Sequence, residues 1–180
     1  MRIISGIFKG RRFSPPSSFR ARPTTDIAKE SLFNILSNYI NFEEIKCLDL
    51  FSGTGSISYE FASRGCKNII SIEKDFQHYK FIIKCIEELD LKDIIKSFKQ
   101  DVFAFIKNTE ISDFDLIFAD PPFNLQNLNK LPELIIESNL LKKGGLFILE
   151  HGREYDFSKL YHFWHVRHYG KICFSFFENK

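Results

Sequence analysis

The spacing of hydrophobic positions changes period along the chain. In residues 2–13, RIISGIFKGRRF, apolar residues alternate loosely around Gly6 and Gly10, which predicts a short hairpin. Residues 14–23 are rich in Pro, Ser and Arg and predict an extended connector. From Thr24 to Ile40 the apolar positions Ala28, Leu32, Ile35, Leu36, Tyr39 and Ile40 recur at helical spacing, with Thr24 or Thr25 as the cap. Strands and helices then alternate. Cys47–Phe51 predicts a strand, Ile57–Arg64 a helix and Asn68–Glu73 a second strand. Phe76, Tyr79, Ile82, Ile83, Ile86 and Leu89 mark the next helix. A weaker strand covers Ile95–Lys99, a near-continuous apolar one Asp115–Ala119, and a helix Leu128–Ser138. Gly144-Gly145 predicts a turn into strand Leu146–Glu150, and Tyr161–His168 and Lys171–Phe177 flank Tyr169-Gly170 as a closing hairpin.

Apolar strands alternating with helices imply an α/β fold with a parallel sheet covered on both faces, and right-handed crossovers make it doubly wound. The expected organisation is a basic N-terminal extension, 1–40, packed on a core of 41–180 in one globular unit.

At 180 residues, 44% of them hydrophobic, the chain has the size of one domain and can bury a full core without metal or disulfide staples. No stretch reaches the about 18 unbroken apolar residues of a membrane span. The first residues lack the apolar block of a secretory signal, so a cytoplasmic protein without a membrane partner is expected. Cys47, Cys66, Cys85 and Cys173 form no CxxC pair and sit in apolar surroundings, which predicts buried free thiols and no zinc or redox site. The abundant phenylalanine points to no chemistry of its own.

Charge is unevenly spread. Residues 1–22 hold Arg2, Lys9, Arg11, Arg12, Arg20 and Arg22 and no acid, which leaves 19 basic against 23 acidic side chains in 23–180. A basic arm on a mildly acidic body suits a polyanion gripped mainly by the arm.

Candidate chemistry collects at predicted strand ends. Asp49-Leu50-Phe51-Ser52-Gly53-Thr54-Gly55 is a glycine turn between a strand and a helix, where a backbone can approach a ligand closely. Ser58 stands where a dinucleotide fingerprint needs its third glycine, and Asp49 sits inside the strand; both argue against a nicotinamide cofactor. Glu73 ends the next strand, about 20 residues on, where an acid can accept from both ribose hydroxyls of a nucleoside. Asp101 follows the third strand and can meet an adenine amine. Asp120-Pro121-Pro122-Phe123 combines a carboxylate, carbonyls stripped of neighbouring donors and an aromatic plate, which suits a planar base with an exocyclic amine. His162 and His168 would lie about 20 Å apart on a strand at roughly 3.3 Å per residue, with His165 on the opposite face, so they make no metal site. Ser52, Thr54 and Ser56 read as turn residues, and Trp164 as packing.

These residues resemble a class I S-adenosylmethionine-dependent methyltransferase, and the Asp120–Phe123 loop resembles the [DN]-P-P-[YF] motif of enzymes that methylate exocyclic base nitrogens. Further blocks are more specific: Met1–Gly6, Lys9-Gly10-Arg11-Arg12, Arg22-Pro23-Thr24-Thr25, Glu30–Leu36, Ser63–Cys66, Phe114–Phe118 and Tyr169-Gly170 resemble RsmD-type 16S ribosomal RNA guanine-N2 methyltransferases. The resemblance implies a Rossmann-like, mostly parallel seven-stranded sheet with a C-terminal antiparallel hairpin. It implies methyl transfer from S-adenosyl-L-methionine, without metal, to the N2 amine of a specific guanine in 16S rRNA. The substrate would be the 30S subunit or a late assembly intermediate, and the protein a monomer. Carried over by position, Asp49, Phe51, Gly53 and Gly55 would line the methionine part of the cofactor. Glu73 would hold its ribose, and Asp101 with Val102 would meet its adenine. Asp120 and Pro121 would hold the guanine amine, with Phe123 stacked on the base. Arg2, Lys9, Arg11, Arg12 and Arg22 would grip phosphates. Ser58, where relatives often have Gly, is expected to loosen the entry to the first core helix slightly. The alternatives are a DNA adenine-N6 methyltransferase, which would use the same loop but usually needs an added sequence-reading domain, and a non-catalytic RNA-binding assembly factor on the same fold.

Overall fold

The structure, a computed structural model, describes residues 1–16, 19 and 25–180. The described elements are α1 (Asp26–Leu36), β1 (Lys46–Leu50), α2 (Ser56–Ser63), β2 (Asn68–Glu73), α3 (Phe76–Glu88), β3 (Ile95–Lys99), α4 (Val102–Asn108), β4 (Phe114–Ala119), α5 (Leu131–Glu137), β5 (Leu141–Gly152), β6 (Phe163–Tyr169) and β7 (Ile172–Glu178). The strands form one sheet in the order β3-β2-β1-β4-β5-β7-β6. The first five are parallel, and β7 runs antiparallel to both β5 and β6. This is the doubly wound, seven-stranded sheet with a closing hairpin that the alternation of elements implies.

Each central strand feeds two cores. Cys47, Ile69, Leu116, Phe118 and Ile148 pack under α1, α2 and α3, whereas Leu48, Leu50, Ile117, Ala119 and Leu149 pack with α4 and α5 on the other face. The period-two alternation of strand side chains makes both faces apolar, so the sheet is buried on both sides. Phenylalanine fills much of this volume: Phe33, Phe61, Phe114, Phe118, Phe147, Phe174, Phe176 and Phe177 are fully buried.

Register decides where the chemistry lies. Leu50 pairs with Ile72 and Ala119, and Ala119 pairs with Leu149. The carboxyl ends of β1, β2 and β4 are therefore level, and Phe51, Glu73 and Asp120 leave the sheet in one row alongside Glu150 of β5. Ligands of open parallel sheets bind at this edge.

Three predicted elements differ. The hairpin over 2–13 is reduced to one bridge, Arg2 with Arg12, supported by Ile3 N–H to Arg11 O and Gly10 N–H to Ile3 O. Other amides of this segment are turned onto α2: Ile7 donates to the Ser63 carbonyl, and Ile4 and Ser5 donate to the Glu60 carboxylate. Gly6 makes this possible, since at φ +81° a Cβ there would lie 1.7 Å from the Ser63 carbonyl oxygen. Second, Gly144-Gly145 is not a turn before a strand. It lies inside β5 at a register shift against β4, where the Gly144 amide donates to Asn179 O. Third, α4 has no counterpart in the sequence reading, because its seven residues are too few for a clear period.

Helix α1 is shorter than its apolar pattern. Thr25 caps it by accepting from the Ala28 amide at 3.3 Å, and it ends at Leu36. A buried polar joint fixes it to the rest. The Lys29 ammonium, 1% exposed, donates to Arg2 O at 2.6 Å and Ser56 Oγ at 2.9 Å, with a Glu60 oxygen 3.9 Å away. Arg64 Nε takes the other Glu60 oxygen at 2.9 Å. One buried carboxylate thus joins the N-terminal segment, α1 and α2, and every partner it has donates to it, as a buried charge requires. All four cysteines are buried free thiols, as their surroundings predict.

Candidate active site

The glycine turn starts from Asp49, whose side chain points under α2. Its Oδ2 accepts from the Ser58 amide at 3.2 Å and the Ser58 hydroxyl at 2.6 Å. The residue that breaks the dinucleotide fingerprint therefore serves Asp49. Ser58 is fully buried, so the expected loosening at this helix entry does not occur. Burial pushes the Asp49 carboxyl up to about 7, against the opposing pull of the two Ser58 donors, and the neighbouring Glu73 charge adds to the rise. After β1 the chain turns through Phe51 at φ +58°, a left-handed conformation unusual for a residue with a Cβ. Gly55, at φ +77°, begins α2, and a Cβ there would come within 2.4 Å of the Tyr59 hydroxyl oxygen. At Gly53 a Cβ would meet nothing nearer than Phe51 O at 3.9 Å, so that backbone faces open space, room for a ligand to approach.

Glu73 holds two loops. Its Oε2 accepts from the Gly53 amide and its Oε1 from the Asp75 amide, both at 2.7 Å. The carboxylate is thus oriented at the cleft wall while each oxygen keeps a lone pair. Asp101 is committed more heavily than its position at a strand end suggests. Its Oδ1 caps α4 by accepting from Phe103 N at 3.0 Å and Ala104 N at 3.2 Å, and its Oδ2 takes the Lys74 ammonium at 3.0 Å. The Lys74 bond, ahead of the two capping amides, holds this carboxyl below the usual range. Val102 follows as the first helical residue and lines the same wall.

Asp120 ends β4, with its amide bonded to Leu50 O at 3.4 Å. Burial pushes its carboxyl well above the ordinary carboxylate range, and the Glu150 and Asp49 charges act in the same direction. Pro121 is buried and Pro122 is exposed. Leu125 N–H closes a turn onto Pro122 O at 2.8 Å, which lifts Phe123 to the crest. Phe123 is 69% exposed, so its ring is not core packing.

One cleft of about 1020 Å³ gathers these groups. Asp49, Phe51, Gly53, Glu73, Asp101, Val102, Asp120, Pro121 and Phe123 all line it; Gly55 stands just behind, shaping the turn. Among the further lining residues that sequence reasoning missed are Lys74, Phe76, His78 and Phe103. Phe76 and Phe103 each follow closely on a capping aspartate, Asp75 and Asp101, at the start of a helix. An Asp before an apolar run is a readable helix start, and that signal would have found α4 as well. Phe51 and Phe103 meet edge to face at 6.3 Å.

The basic residues lie apart from the cleft floor. Arg2 pairs with Asp26 at 3.2 Å. Lys9, Arg11 and Arg12 are exposed, and no ion pair holds them among the described residues. Arg22 and Arg20 lie outside the described residues. The start of the arm reaches the cleft rim, since the Thr54 hydroxyl donates to Met1 Sδ at 3.3 Å. The three C-terminal histidines go separate ways: His162 to Glu178 O, His168 to Cys173 Sγ, and His165 flat on the Phe176 ring. Trp164 packs edge to face on Tyr39 at 4.8 Å. No described helix is long and apolar enough to cross a membrane.

The donor set fits a nucleoside carrying a cationic amino-acid tail. The turn offers open space at Gly53, Glu73 offers oriented acceptors, Asp49 offers a buried carboxyl, and Phe51, Phe76 and Phe103 offer apolar edges. Among the described residues no group of three or more His, Cys, Asp or Glu side chains is arranged to hold a metal.

Comparison with known proteins agrees with this geometry. The family described as Conserved hypothetical protein 95 matches the chain over residues 1–178. The protein named ribosomal RNA small subunit methyltransferase D of Haemophilus influenzae is 34% identical over 152 residues, covering 83% of this chain and 78% of that one. Its namesake in Escherichia coli is 30% identical over 150 residues, covering 83% and 74%. Among solved structures, the yhhF protein from Escherichia coli superposes with a TM-score of 0.84 at 25% identity, over 99% of this chain and 97% of that one. The 16S rRNA N2 G1207 methyltransferase RsmC of Thermus thermophilus, solved with AdoMet and guanosine, shares the fold with a TM-score of 0.70 at 21% identity, over 89% of this chain and 45% of that one.

Proposed function

The chain belongs to the Conserved hypothetical protein 95 family, the RsmD family, and on that premise we propose that it transfers a methyl group from S-adenosyl-L-methionine to the N2 amine of a guanine in 16S rRNA. The rRNA would be presented in the 30S subunit or a late assembly intermediate, to a monomer working in the cytoplasm. The observation that carries this reading is the exposed Phe123 ring at the crest of the cleft, beside the half-buried Asp120 carboxyl and the Pro121 carbonyl. An aromatic plate next to two acceptors is what a flipped-out base with an exocyclic amine requires.

When bound, S-adenosylmethionine supplies an electrophilic methyl group on a sulfonium. The chain's own residues do the rest by positioning and electrostatics. Glu73 accepts from the ribose hydroxyls, while Asp101 and the Val102 backbone border the adenine. Asp49 and the Gly53 turn take the methionine end. Phe123 stacks on the guanine, and Asp120 with the Pro121 carbonyl accepts the two N2 hydrogens. This orients the nitrogen lone pair towards the incoming carbon and raises its electron density. Lys9, Arg11, Arg12 and Arg22 grip phosphates outside the cleft.

The test is labelled methyl transfer to unmodified 30S subunits, free 16S rRNA and duplex DNA in parallel, followed by nucleoside mass analysis. N2-methylguanosine from the ribosomal substrate is the expected product. N6-methyladenine in DNA would instead make the protein a DNA adenine methyltransferase, and cofactor binding without label in any acceptor would make it an assembly factor.

A further inference from the structure

The chain from Phe157 to Phe177 holds no aspartate or glutamate, while Lys159, Arg167, Lys171 and three histidines fall within it. Most of that stretch is β6, the turn after it and β7. β6 closes the sheet and pairs with β7, so among the described residues its outer side is unpaired. Because β7 runs antiparallel to both neighbours, β6 points the same way as the parallel strands and ends at the edge that carries the cleft. Register fixes the level. Glu150 pairs with Phe174 and Phe174 with Arg167, which sets Arg167 level with Glu150, two strand spacings or about 10 Å from β5. Gly152 pairs with Ile172 and Ile172 with Tyr169, so Gly170 and Lys171 turn the chain above that row. Arg167 and Trp164 share a face. Arg167 stands opposite Phe174, the Trp164 ring meets Phe176 at 6.4 Å, and both phenylalanines belong to the core under α1, α2 and α3.

These side chains are not spent inside the protein. Arg167 and Lys171 are exposed, and no ion pair holds either among the described residues. The Arg167 guanidinium donates to the adjacent Val166 O at 3.3 Å. Trp164 is 38% exposed, and Tyr39, which it meets edge to face, is 56% exposed. The acids beside the turn are offset or committed: the Glu154 carboxylate lies over Gly152 next to the exposed Arg153, and Asp156 accepts from the Ser158 amide. Charges of either sign protect an edge strand from pairing with another chain. Such protection explains neither the single sign of these charges nor the exposed aromatic pair. Cations interleaved with aromatic faces suit single-stranded RNA, whose phosphates are held by charge and whose unpaired bases are held by stacking.

We propose that the β6 edge is a second RNA-binding surface, on which Arg167 and Lys171 neutralise phosphates and Trp164 stacks an unpaired base. The strand that flanks the base at Phe123 is then held across the end of the sheet. Three strand spacings, about 14 Å, separate β4, which leads into the Asp120–Phe123 loop, from β6. The N-terminal segment docks on α2 instead, through Ile7 to Ser63 and Ile4 and Ser5 to Glu60, so the two cationic surfaces are separate. The inference deepens the proposed function and rests on it for the identity of the RNA.

Trp164 is the single tryptophan of the chain, so its fluorescence reports on this surface alone. Free, unmodified 16S rRNA titrated into the full chain, without cofactor, should quench that emission and shield it from acrylamide. Affinity for the same RNA is measured in parallel over a range of salt. The double variant Arg167→Gln, Lys171→Gln should lower the logarithmic salt slope by about 0.7 for each phosphate no longer neutralised. Trp164→Ala should weaken binding by about 5- to 100-fold at fixed salt, and Trp164→Phe should restore most of it. An unchanged salt slope in the double variant, or an unquenched tryptophan at saturating RNA, would overturn the inference. If Trp164→Ala does not fold, the double variant and the wild-type fluorescence still decide the matter. A loss of binding confined to assembled 30S subunits, with free rRNA bound as before, would assign the edge to a ribosomal protein and overturn it too. No methyl transfer enters these measurements. Failure of rRNA methylation would therefore remove the proposed function and leave RNA binding at β6 standing, whereas absence of any RNA binding would remove the inference.

Discussion

At the scale of single residues, the cleft is defined by a few side chains whose surroundings set their chemistry. Asp120 and Phe123 belong to one short loop, yet one is half-buried and the other exposed. Asp120→Ala should lower methyl transfer by about 100-fold or more, as expected when a preorganised group at the reacting atom is removed, and leave S-adenosylhomocysteine binding intact. Near wild-type transfer by that variant would refute its role. Phe123→Ala should weaken use of the RNA by about 5- to 100-fold, the worth of one base–aromatic stack, while Phe123→Tyr should restore it. Kinetics at varied RNA concentration would separate the two. Asp49 offers a test without substrate. Its carboxyl is pushed up to about 7 in the folded protein from an ordinary value of 3.8, so the folded state binds the proton more tightly than the unfolded chain. This contribution favours folding at low pH and fades as pH rises through about 7. Between pH 6 and 8 the loss amounts to about 1.4 kcal/mol, the equivalent of one pKa unit. Denaturant melts at both pH values should show that slope, and Asp49→Asn should flatten it.

At the scale of elements, the joint built on Glu60 matters most. Its two oxygens accept from the Ile4 and Ser5 amides and from Arg64, with Lys29 close by, so one carboxylate anchors the N-terminal segment to α2 and α1. Removing one partner from a buried ion pair strands the other and costs about 3–5 kcal/mol. Lys29→Met should therefore destabilise the protein by roughly 3 kcal/mol in urea melts. It should also raise hydrogen exchange at Ile4 and Ser5, because the carboxylate they share loses one of its two cations and keeps only Arg64. Unchanged exchange there would mean that the segment is held by its apolar residues Ile3 and Phe13 alone. The helix starts repeat one device: Asp75 and Asp101 cap α3 and α4 and set Phe76 and Phe103 at the cleft wall.

At the scale of the whole molecule, charge and shape divide the labour. The cleft is ringed by acids, while free cations sit on the N-terminal segment that meets the cleft rim through Met1. A long polyanion can be held by the arm while one base enters the acidic cleft. Charge reversal at Arg11 and Arg12 should weaken RNA binding and reduce its logarithmic salt slope by about 0.7–0.9 for each phosphate that is no longer neutralised. Cofactor affinity should stay the same. An unchanged slope would show that these two side chains touch no phosphate.

The sequence by itself determined the order of strands and helices, the glycine turn, the acids at strand ends and the Asp120–Phe123 loop, because hydrophobic period and turn chemistry are local properties. It also determined that residues 1–13 are basic, and that Asp49, Glu73, Asp101 and Asp120 follow one another through the alternation. It did not determine what each acid is bound to. Asp101 was legible as an acid at a strand end, but capping α4 and pairing with Lys74 depend on how two loops meet. Ser58 looked like a missing glycine until the fold put its hydroxyl on Asp49. Lys29 and Glu60 looked like ordinary helix-surface charges, and only the docking of α1 and the N-terminal segment on α2 buried them. Glu150 was legible only as the end of a strand, and its place in the row with Glu73 and Asp120 comes from the register of β5 against β4. Tertiary structure decided these points because burial and neighbouring charge, which set a carboxyl's proton affinity and its partners, are supplied by residues distant in the chain.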